Sequence, residues 1–133
     1  MIVALDANIV IYLIEANPTW TPIATSRLMA LRAAGDEIAF CDVGRLECLI
    51  KPLASGNITD VATYQSFFNS PQVRMLPVTA TTWERAAQIA ATFRMKPLDS
   101  VHLAAAIEHG CGLFLTKDAP LARCAAIPVE VLT

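Results

Sequence analysis

Four acidic residues in this 133-residue chain lie where carboxylates can take part in chemistry: Asp6, Glu47, Asp99 and Asp118. The first of them interrupts the apolar opening MIVALDANIVIYLIEA. A buried, unpaired carboxylate is costly, so Asp6 needs a cation, a helix N-terminus to cap, or a route to water. Crowded carboxylates that converge at one place need a cation for the same reason.

The ligand types predict which cation would suit such a site. The chain has no CxxC pair and no histidine cluster, and we expect its four cysteines to be reduced core thiols: Cys41, Cys48, Cys111 and Cys124. Oxygen ligands without thiolate or paired imidazole favour Mg²⁺ or Mn²⁺ over zinc. Such an ion can lower the pKa of a bound water and stabilise charge on phosphate oxygens, which indicates phosphate chemistry.

Each acid also has a purely structural explanation. Asp6 can cap the helix that follows it, and Asp118 can cap residues 119–124. Asp99 can interact favourably with a helix dipole. Glu47 can pair with Lys51 one helical turn later. The joint pattern favours a site, because three aspartates fall at element junctions and only Asp118 has a basic neighbour.

Three further polar residues accompany these acids. Asn8 and Thr116 are short side chains beside Asp6 and Asp118, and such groups can orient metal-binding carboxylates. His102 follows Asp99 by three residues and therefore lies near it on a helix. We expect a packed or hydrogen-bonded histidine at this position in preference to a ligand or a general base.

The elements that position these residues alternate between strands and helices. Short β-branched runs predict strands over 2–5, 37–43, 73–78, 112–116 and 128–132. Helical spacing predicts helices over 9–16, 21–34, 42–53, 58–68, 81–93 and 97–109, with a short helix over 117–124. Thr21 is the expected N-cap of the second helix, and Pro52 and Gly56 are expected to break the third. From the fifth helix, the residues expected to face inward are Trp83, Ala87, Ala90 and Phe93.

This alternation predicts an α/β fold, a mostly parallel sheet covered by helices on both faces in one domain over residues 1–133. In such sheets the working site lies beyond the carboxyl ends of the strands. Asp6 and Asp118 each follow a strand, and Asp99 lies in the first turn of a helix. Glu47 lies in the second turn of the helix after the second strand, so all four acids can meet at one edge.

Composition limits the classes of function. The net charge of −2 argues against a protein that coats nucleic acid, but a local patch is possible. The opening lacks a basic leader and no stretch predicts a membrane span, so we expect a cytoplasmic protein. The apolar fraction of 55% indicates a partner surface, for which the helix 58–68 is the candidate. Its large side chains are Val61, Tyr64, Phe67 and Phe68.

Four short motifs, in this order, span nearly the whole chain: LDAN at 5–8, RLE at 45–47, PLDSVHLAAA at 97–106 and LTKDAPL at 115–121. Together they resemble the PIN-domain ribonucleases, especially the compact VapC-like toxins. Asn8 and Thr116 match polar positions near the family's first and last acids. The spacing of His102 matches a common DxxHLA variant.

The resemblance implies a single PIN-like domain with a parallel sheet of about five strands. It implies that Asp6, Glu47, Asp99 and Asp118 bind one or two Mg²⁺ or Mn²⁺ ions for endoribonuclease activity. It also implies a toxin restrained by a small antitoxin protein, and we expect a homodimer.

Two other functions remain open. One is a catalytically silent binding or regulatory module on the same fold, against which the intact four-acid set argues. The other is a phosphohydrolase with Asp6 as nucleophile, as in families with DxD after the first strand. Asn8 replaces the second aspartate of that motif here, and the chain is short for a cap domain.

Overall fold

Five parallel strands form one sheet in the order β3-β2-β1-β4-β5. The computed structural model describes all residues, 1–133. The strands are β1 Ile2–Leu5, β2 Glu37–Cys41, β3 Val73–Leu76, β4 Leu113–Thr116 and β5 Val129–Val131. Within the central strands, Leu5 is in register with Phe40 on one side and Leu115 on the other. The residues that follow β1 and β4 are therefore neighbours at the carboxyl edge of the sheet.

Six α-helices flank this sheet. They are α1 Ala7–Ile14, α2 Trp20–Ala33, α3 Val43–Ser55, α4 Ile58–Phe68, α5 Ala80–Phe93 and α6 Pro97–Glu108, and a 3₁₀ helix covers Ala119–Arg123. Successive strand residues enter opposite cores, because side chains alternate along a strand. Leu5 packs with α1 and α4, whereas Ala4 packs with α5 and α6. The predicted α/β fold, a parallel sheet covered on both faces, is confirmed.

Two local details differ from the sequence prediction. Thr21 does not cap α2 but lies in its first turn, where its hydroxyl donates to the Tyr12 carbonyl at 2.6 Å. Pro52 does not break α3, which continues to Ser55 and ends, as predicted, at Gly56, where the backbone adopts a left-handed φ of 69°. A proline costs a helix one amide donor but keeps a helical φ, so the last turn can tolerate it when packing holds it.

The buried face of α5 is rotated from the predicted one. Thr82, Ala86 and Ile89 are buried, whereas Trp83 and Ala87 are exposed. The two sets differ by one residue, which is about 100° around a helix. The prediction of an inward position is therefore wrong for Trp83 and Ala87, whereas Ala90 and Phe93 are partly buried.

The expected partner surface on α4 is also wrong for two of its four residues. Tyr64 and Phe68 are buried in the core, whereas Val61 and Phe67 are partly buried. The Tyr64 hydroxyl donates to Glu15, so the helix buries even its polar tip. Amphipathic spacing indicates which residues share a face, but it does not say whether the chain itself covers that face.

None of the helices combines the length and the apolar composition that a membrane crossing requires.

Candidate functional site

Three carboxylates converge at the carboxyl edge of the sheet, and we call Asp6, Asp99 and Asp118 the acid cluster. One oxygen atom from each lies within 4.8 Å of the others. Asp6 follows β1, Asp118 follows β4 by two residues, and Asp99 lies in the first turn of α6. Asp6 is buried, Asp99 is partly buried and Asp118 is exposed, so the cluster opens to solvent on the Asp118 side.

Neutral groups form the hydrogen bonds to the carboxylate of Asp6, which is only 3% exposed. Its Oδ1 accepts from the Ala7 amide at 2.8 Å, which makes Asp6 the N-cap of α1. Its Oδ2 accepts from the Thr116 hydroxyl at 2.7 Å and from the Asn8 amide at 3.3 Å. Burial raises the pKa of Asp6, and this effect outweighs the lowering by His102, by the Thr116 hydroxyl and by the Ala7 amide. Asp6 is therefore both a helix cap and a member of the acid cluster.

Thr116 and Asn8 connect the loop after β4 to Asp6. The Thr116 hydroxyl donates to Asp6 and accepts from the backbone N–H of Asp118 at 3.0 Å. The Asn8 side-chain oxygen accepts from the backbone N–H of Lys117 at 3.2 Å. These bonds fix the relative positions of two acids that are far apart in sequence.

Asp99 has the pKa expected of a crowded carboxyl group. Burial first, and then the negative charges of Asp6, Asp118 and Glu47, raise its pKa from 3.8 to about 6. No basic side chain forms an ion pair with any member of the acid cluster. An all-oxygen donor set that lacks a counter-charge fits a hard divalent cation such as Mg²⁺ or Mn²⁺.

Glu47 lies close enough to raise the pKa of Asp99, but it is outside the acid cluster. Its Oε1 is 2.5 Å from Nε2 of His102, a side chain that is 1% exposed. His102 Nδ1 has no hydrogen-bond partner. Because Nε2 faces a carboxylate oxygen, which can only accept, this nitrogen carries a proton and donates it to Glu47. The ion pair between Glu47 and Lys51 that the sequence suggested is absent, because Lys51 pairs with Glu15 at 2.9 Å.

Two features near the acid cluster were missed by reasoning from the sequence. A cleft of about 270 Å³ is lined by Asp99 and Asp118 together with the basic residues Arg94, Lys96 and Arg123. In addition, the ammonium of Lys117, the residue before Asp118, lies 4.0 Å from the centroid of the Trp20 ring. Only the position of Lys117 beside Asp118 could have indicated the second feature, because Trp20 is distant in sequence.

Comparisons with known proteins agree with this geometry. The chain matches the PIN domain family over residues 3–127. A search of curated proteins finds no match. Among solved structures, VapBC2 from Rickettsia felis bound to a promoter DNA fragment aligns with a TM-score of 0.80 at 17% identity, covering 100% of both chains.

Two further structures have the same fold. VapC20 of Mycobacterium tuberculosis, described as a sarcin-ricin loop cleaving toxin, aligns with a TM-score of 0.79 at 16% identity, covering 98% of this chain and 99% of that one. FitAcB from Neisseria gonorrhoeae aligns with a TM-score of 0.71 at 18% identity, covering 96% and 95%. Because the family match spans nearly the whole chain, this protein belongs to the PIN domain family.

Proposed function

We propose that this chain is a metal-dependent endoribonuclease that hydrolyses RNA phosphodiester bonds. The observation that carries the proposal is the acid cluster, in which three carboxylates meet within 4.8 Å and no cationic side chain pairs with them. Membership of the PIN domain family and the sarcin-ricin loop cleavage attributed to VapC20 support the same reaction class.

In this proposal Asp6, Asp99 and Asp118 hold one or two Mg²⁺ or Mn²⁺ ions. When bound, a divalent ion supplies a more acidic water and a counter-charge for phosphate oxygens. Thr116 and Asn8 keep the Oδ2 side of Asp6 in one orientation. The RNA approaches from the side of Asp118, because that carboxylate is the exposed member of the acid cluster.

Glu47 is the fourth acid of this proposed site, and His102 is its positioning residue. A hydrogen bond from a buried imidazole restricts a glutamate side chain that otherwise has several rotamers. Partners that hold ligands in this way raise metal affinity without touching the metal. We assign His102 no general-base role, because its Nε2 faces Glu47 and its ring is buried against Phe40 and Phe114.

The proposed biological role is the toxin of a toxin-antitoxin pair that acts in the cytoplasm. A toxin-antitoxin complex from Klebsiella pneumoniae aligns with this chain at a TM-score of 0.75 and 17% identity, covering 97% and 96% of the two chains. We propose that a small antitoxin protein restrains this chain. Induced expression of the chain alone should arrest growth, and Asp99→Asn should relieve the arrest. Equal arrest by both proteins would contradict the nuclease toxin.

We also propose a homodimer, with an apolar strip on α3 as the contact between copies. Leu46, Ile50 and Leu53 recur at helical spacing and are all more than half exposed. The same patch on two copies is self-complementary under two-fold symmetry. Light scattering should give a dimer for the native chain and a monomer for Ile50→Glu. A monomeric native chain would exclude this contact, and binding of an antitoxin that Ile50→Glu abolishes would reassign the strip.

The phosphohydrolase alternative is disfavoured by the surroundings of Asp6. Both of its carboxylate oxygens accept hydrogen bonds, and the side chain is nearly inaccessible. A nucleophilic carboxylate must reach the phosphorus atom of its substrate, and the exposed member of the acid cluster is Asp118, not Asp6. Trapping of a phosphoaspartate on Asp6 would revive that alternative.

Cleavage of a labelled RNA tests the nuclease proposal. The native chain with Mn²⁺ should cut the RNA, and excess EDTA should abolish cutting. Asp99→Asn keeps the size of the side chain but removes one ligand charge, so the rate should fall by orders of magnitude. Glu84→Gln is the matched control, because Glu84 is an exposed acid on α5 without an ion pair. Equal rates for native and Asp99→Asn proteins would refute the proposal.

A further inference from the structure

The unpaired cations of this chain are concentrated around the acid cluster. The chain has ten lysines and arginines. Five form ion pairs with acids: Arg27, Arg45, Lys51, Arg74 and Arg85. The other five are Arg32, Arg94, Lys96, Lys117 and Arg123. Three of these five share a cleft with Asp99 and Asp118, and a fourth, Lys117, directly precedes Asp118 in the chain. Arg32 instead lies in a groove with Asp36 and Glu37 at the amino end of β2.

Three of the four line the cleft beside Asp99 and Asp118, and we call this the basic cleft. Arg94 ends α5 with a φ of 54°, the only non-glycine residue with positive φ. This conformation is uncommon for a side chain of this size and costs free energy. Arg123 donates to the Arg94 carbonyl at 3.0 Å and to the Pro120 carbonyl at 3.1 Å, so the wall of the cleft is held together.

The fourth cation, Lys117, lies between Thr116 and Asp118 and covers one face of the Trp20 ring. Tyr12 stacks near Trp20, with ring centroids 6.1 Å apart and an interplanar angle of 28°. An ammonium held over an aromatic face can move to a phosphate, and the face it leaves can stack on a base. The Trp20–Lys117 pair therefore offers both interactions that single-stranded nucleic acid uses.

We propose that single-stranded RNA crosses the acid cluster, with phosphates at the basic cleft and at Lys117 and one unpaired base stacked on Trp20. This inference rests on the proposed nuclease function and names the residues of this chain that hold its substrate. Three carboxylates repel an RNA backbone, and a chain of net charge −2 gives no general attraction. Local cations on both sides of the acids supply the attraction instead. An unstacked base is required because a duplex does not expose its base faces.

RNA binding by charge-neutralised variants tests the two ends of this path. All variants are made in the Asp99→Asn background with Mn²⁺, so that the RNA stays intact. Lys96→Gln and Lys117→Gln should each weaken binding of a short fluorescein-labelled single-stranded RNA several-fold. Each should also reduce the slope of log affinity against log salt by about 0.7, the value for one phosphate contact on a single strand. Arg32→Gln is the matched control and should change neither quantity.

Tryptophan fluorescence tests the stacked base. The chain has two tryptophans, and Trp83 is 53% exposed on α5. Thr82, which precedes Trp83, donates to Glu108 at the C-terminal end of α6. Asp99 lies near the N-terminal end of the same helix, about 14 Å from Glu108 along the helix axis. RNA should quench Trp20 in the Trp83→Phe protein and leave Trp83 unchanged in the Trp20→Phe protein. Equal quenching of both residues, or tighter binding of a duplex of the same sequence, would overturn the proposal.

The failures of the two proposals are distinguishable. If the native chain cuts RNA while Lys96→Gln and Lys117→Gln bind like Arg32→Gln, the path is wrong and the nuclease function stands. If these variants weaken RNA binding but the native chain never cuts RNA, the nuclease function is wrong and the path stands. A chain that neither binds nor cuts RNA overturns both.

Discussion

Asp99→Asn should stabilise the metal-free protein at neutral pH, although it removes a residue of the proposed site. Asp99 has a pKa raised to about 6, by burial first and then by the charges of Asp6, Asp118 and Glu47. A carboxyl group whose folded pKa is raised stabilises the fold fully below its unfolded pKa of about 4. That contribution is lost as the pH rises through about 6. The metal-free protein should therefore be less stable at pH 7.5 than at pH 4.5 as far as Asp99 is concerned.

The size of the effect follows from the pKa and the degree of burial. A rise from 3.8 to about 6 corresponds to about 3 kcal/mol. Solvent screens part of this for a partly buried group, so we expect ~1–2 kcal/mol. At ~2.1 cal/mol/K of unfolding entropy per residue, this free energy shifts the Tm of the 133-residue chain by roughly 4–7 °C. The helix dipole at the start of α6 favours the charged form of Asp99, so we expect a Tm shift near the lower end of this range.

Thermal melts in EDTA measure this shift. The Tm of Asp99→Asn should exceed that of the native chain at pH 7.5, and the difference should shrink near pH 4.5, where Asp99 is protonated in the native fold. Added Mn²⁺ should raise the native Tm with the logarithm of its concentration and raise that of Asp99→Asn less. Glu84→Gln should match the native chain at every pH. A lower Tm for Asp99→Asn in EDTA at pH 7.5 would refute the reasoning, because it would mean that the fold favours the charged carboxylate.

Three further substitutions test separate contacts. His102→Leu should lower Mn²⁺ affinity about 10–100-fold in calorimetry, because Glu47 loses its partner, and His102→Gln should restore part of it. His109→Leu is the control, since His109 bonds only a backbone carbonyl on the same helix. Gly44→Ala should destabilise the fold by about 1–3 kcal/mol in urea unfolding, because the new Cβ would overlap the buried Phe40 ring. Tyr64→Phe should cost about 1–3 kcal/mol, because it removes a hydrogen bond to the partly buried Glu15 carboxylate and leaves Lys51 as its remaining side-chain partner.

Each of these three expectations has a contradicting result. Native-like Mn²⁺ affinity in His102→Leu would mean that Glu47 needs no positioning. Unchanged stability of Gly44→Ala would mean that the Phe40 ring can move aside. Unchanged stability of Tyr64→Phe would mean that water replaces the lost donor.

The sequence alone determined the features that depend on local pattern. Alternation of short β-branched runs with helical spacing predicted five strands, six helices and a parallel sheet, because each element needs one buried face. Aspartates that follow β1 and β4 within two residues had to lie near one edge, because parallel strands end on the same side. The geometry of Asp6, Asp99 and Asp118 is therefore predictable without a structure, and their chemical role remains a proposal.

Tertiary packing decided the remaining features. Whether Tyr64 faces the core or solvent depends on Glu15, 49 residues away, and whether Glu47 binds Lys51 or His102 depends on how α3 packs against α6. Likewise, the positions of the unpaired cations follow from which acids reach the other basic residues. Side chains three or four residues apart on a helix are neighbours by geometry, but contacts between distant segments arise only when whole elements pack together. A sequence pattern therefore fixes which faces exist, and the folded chain decides what each face contacts.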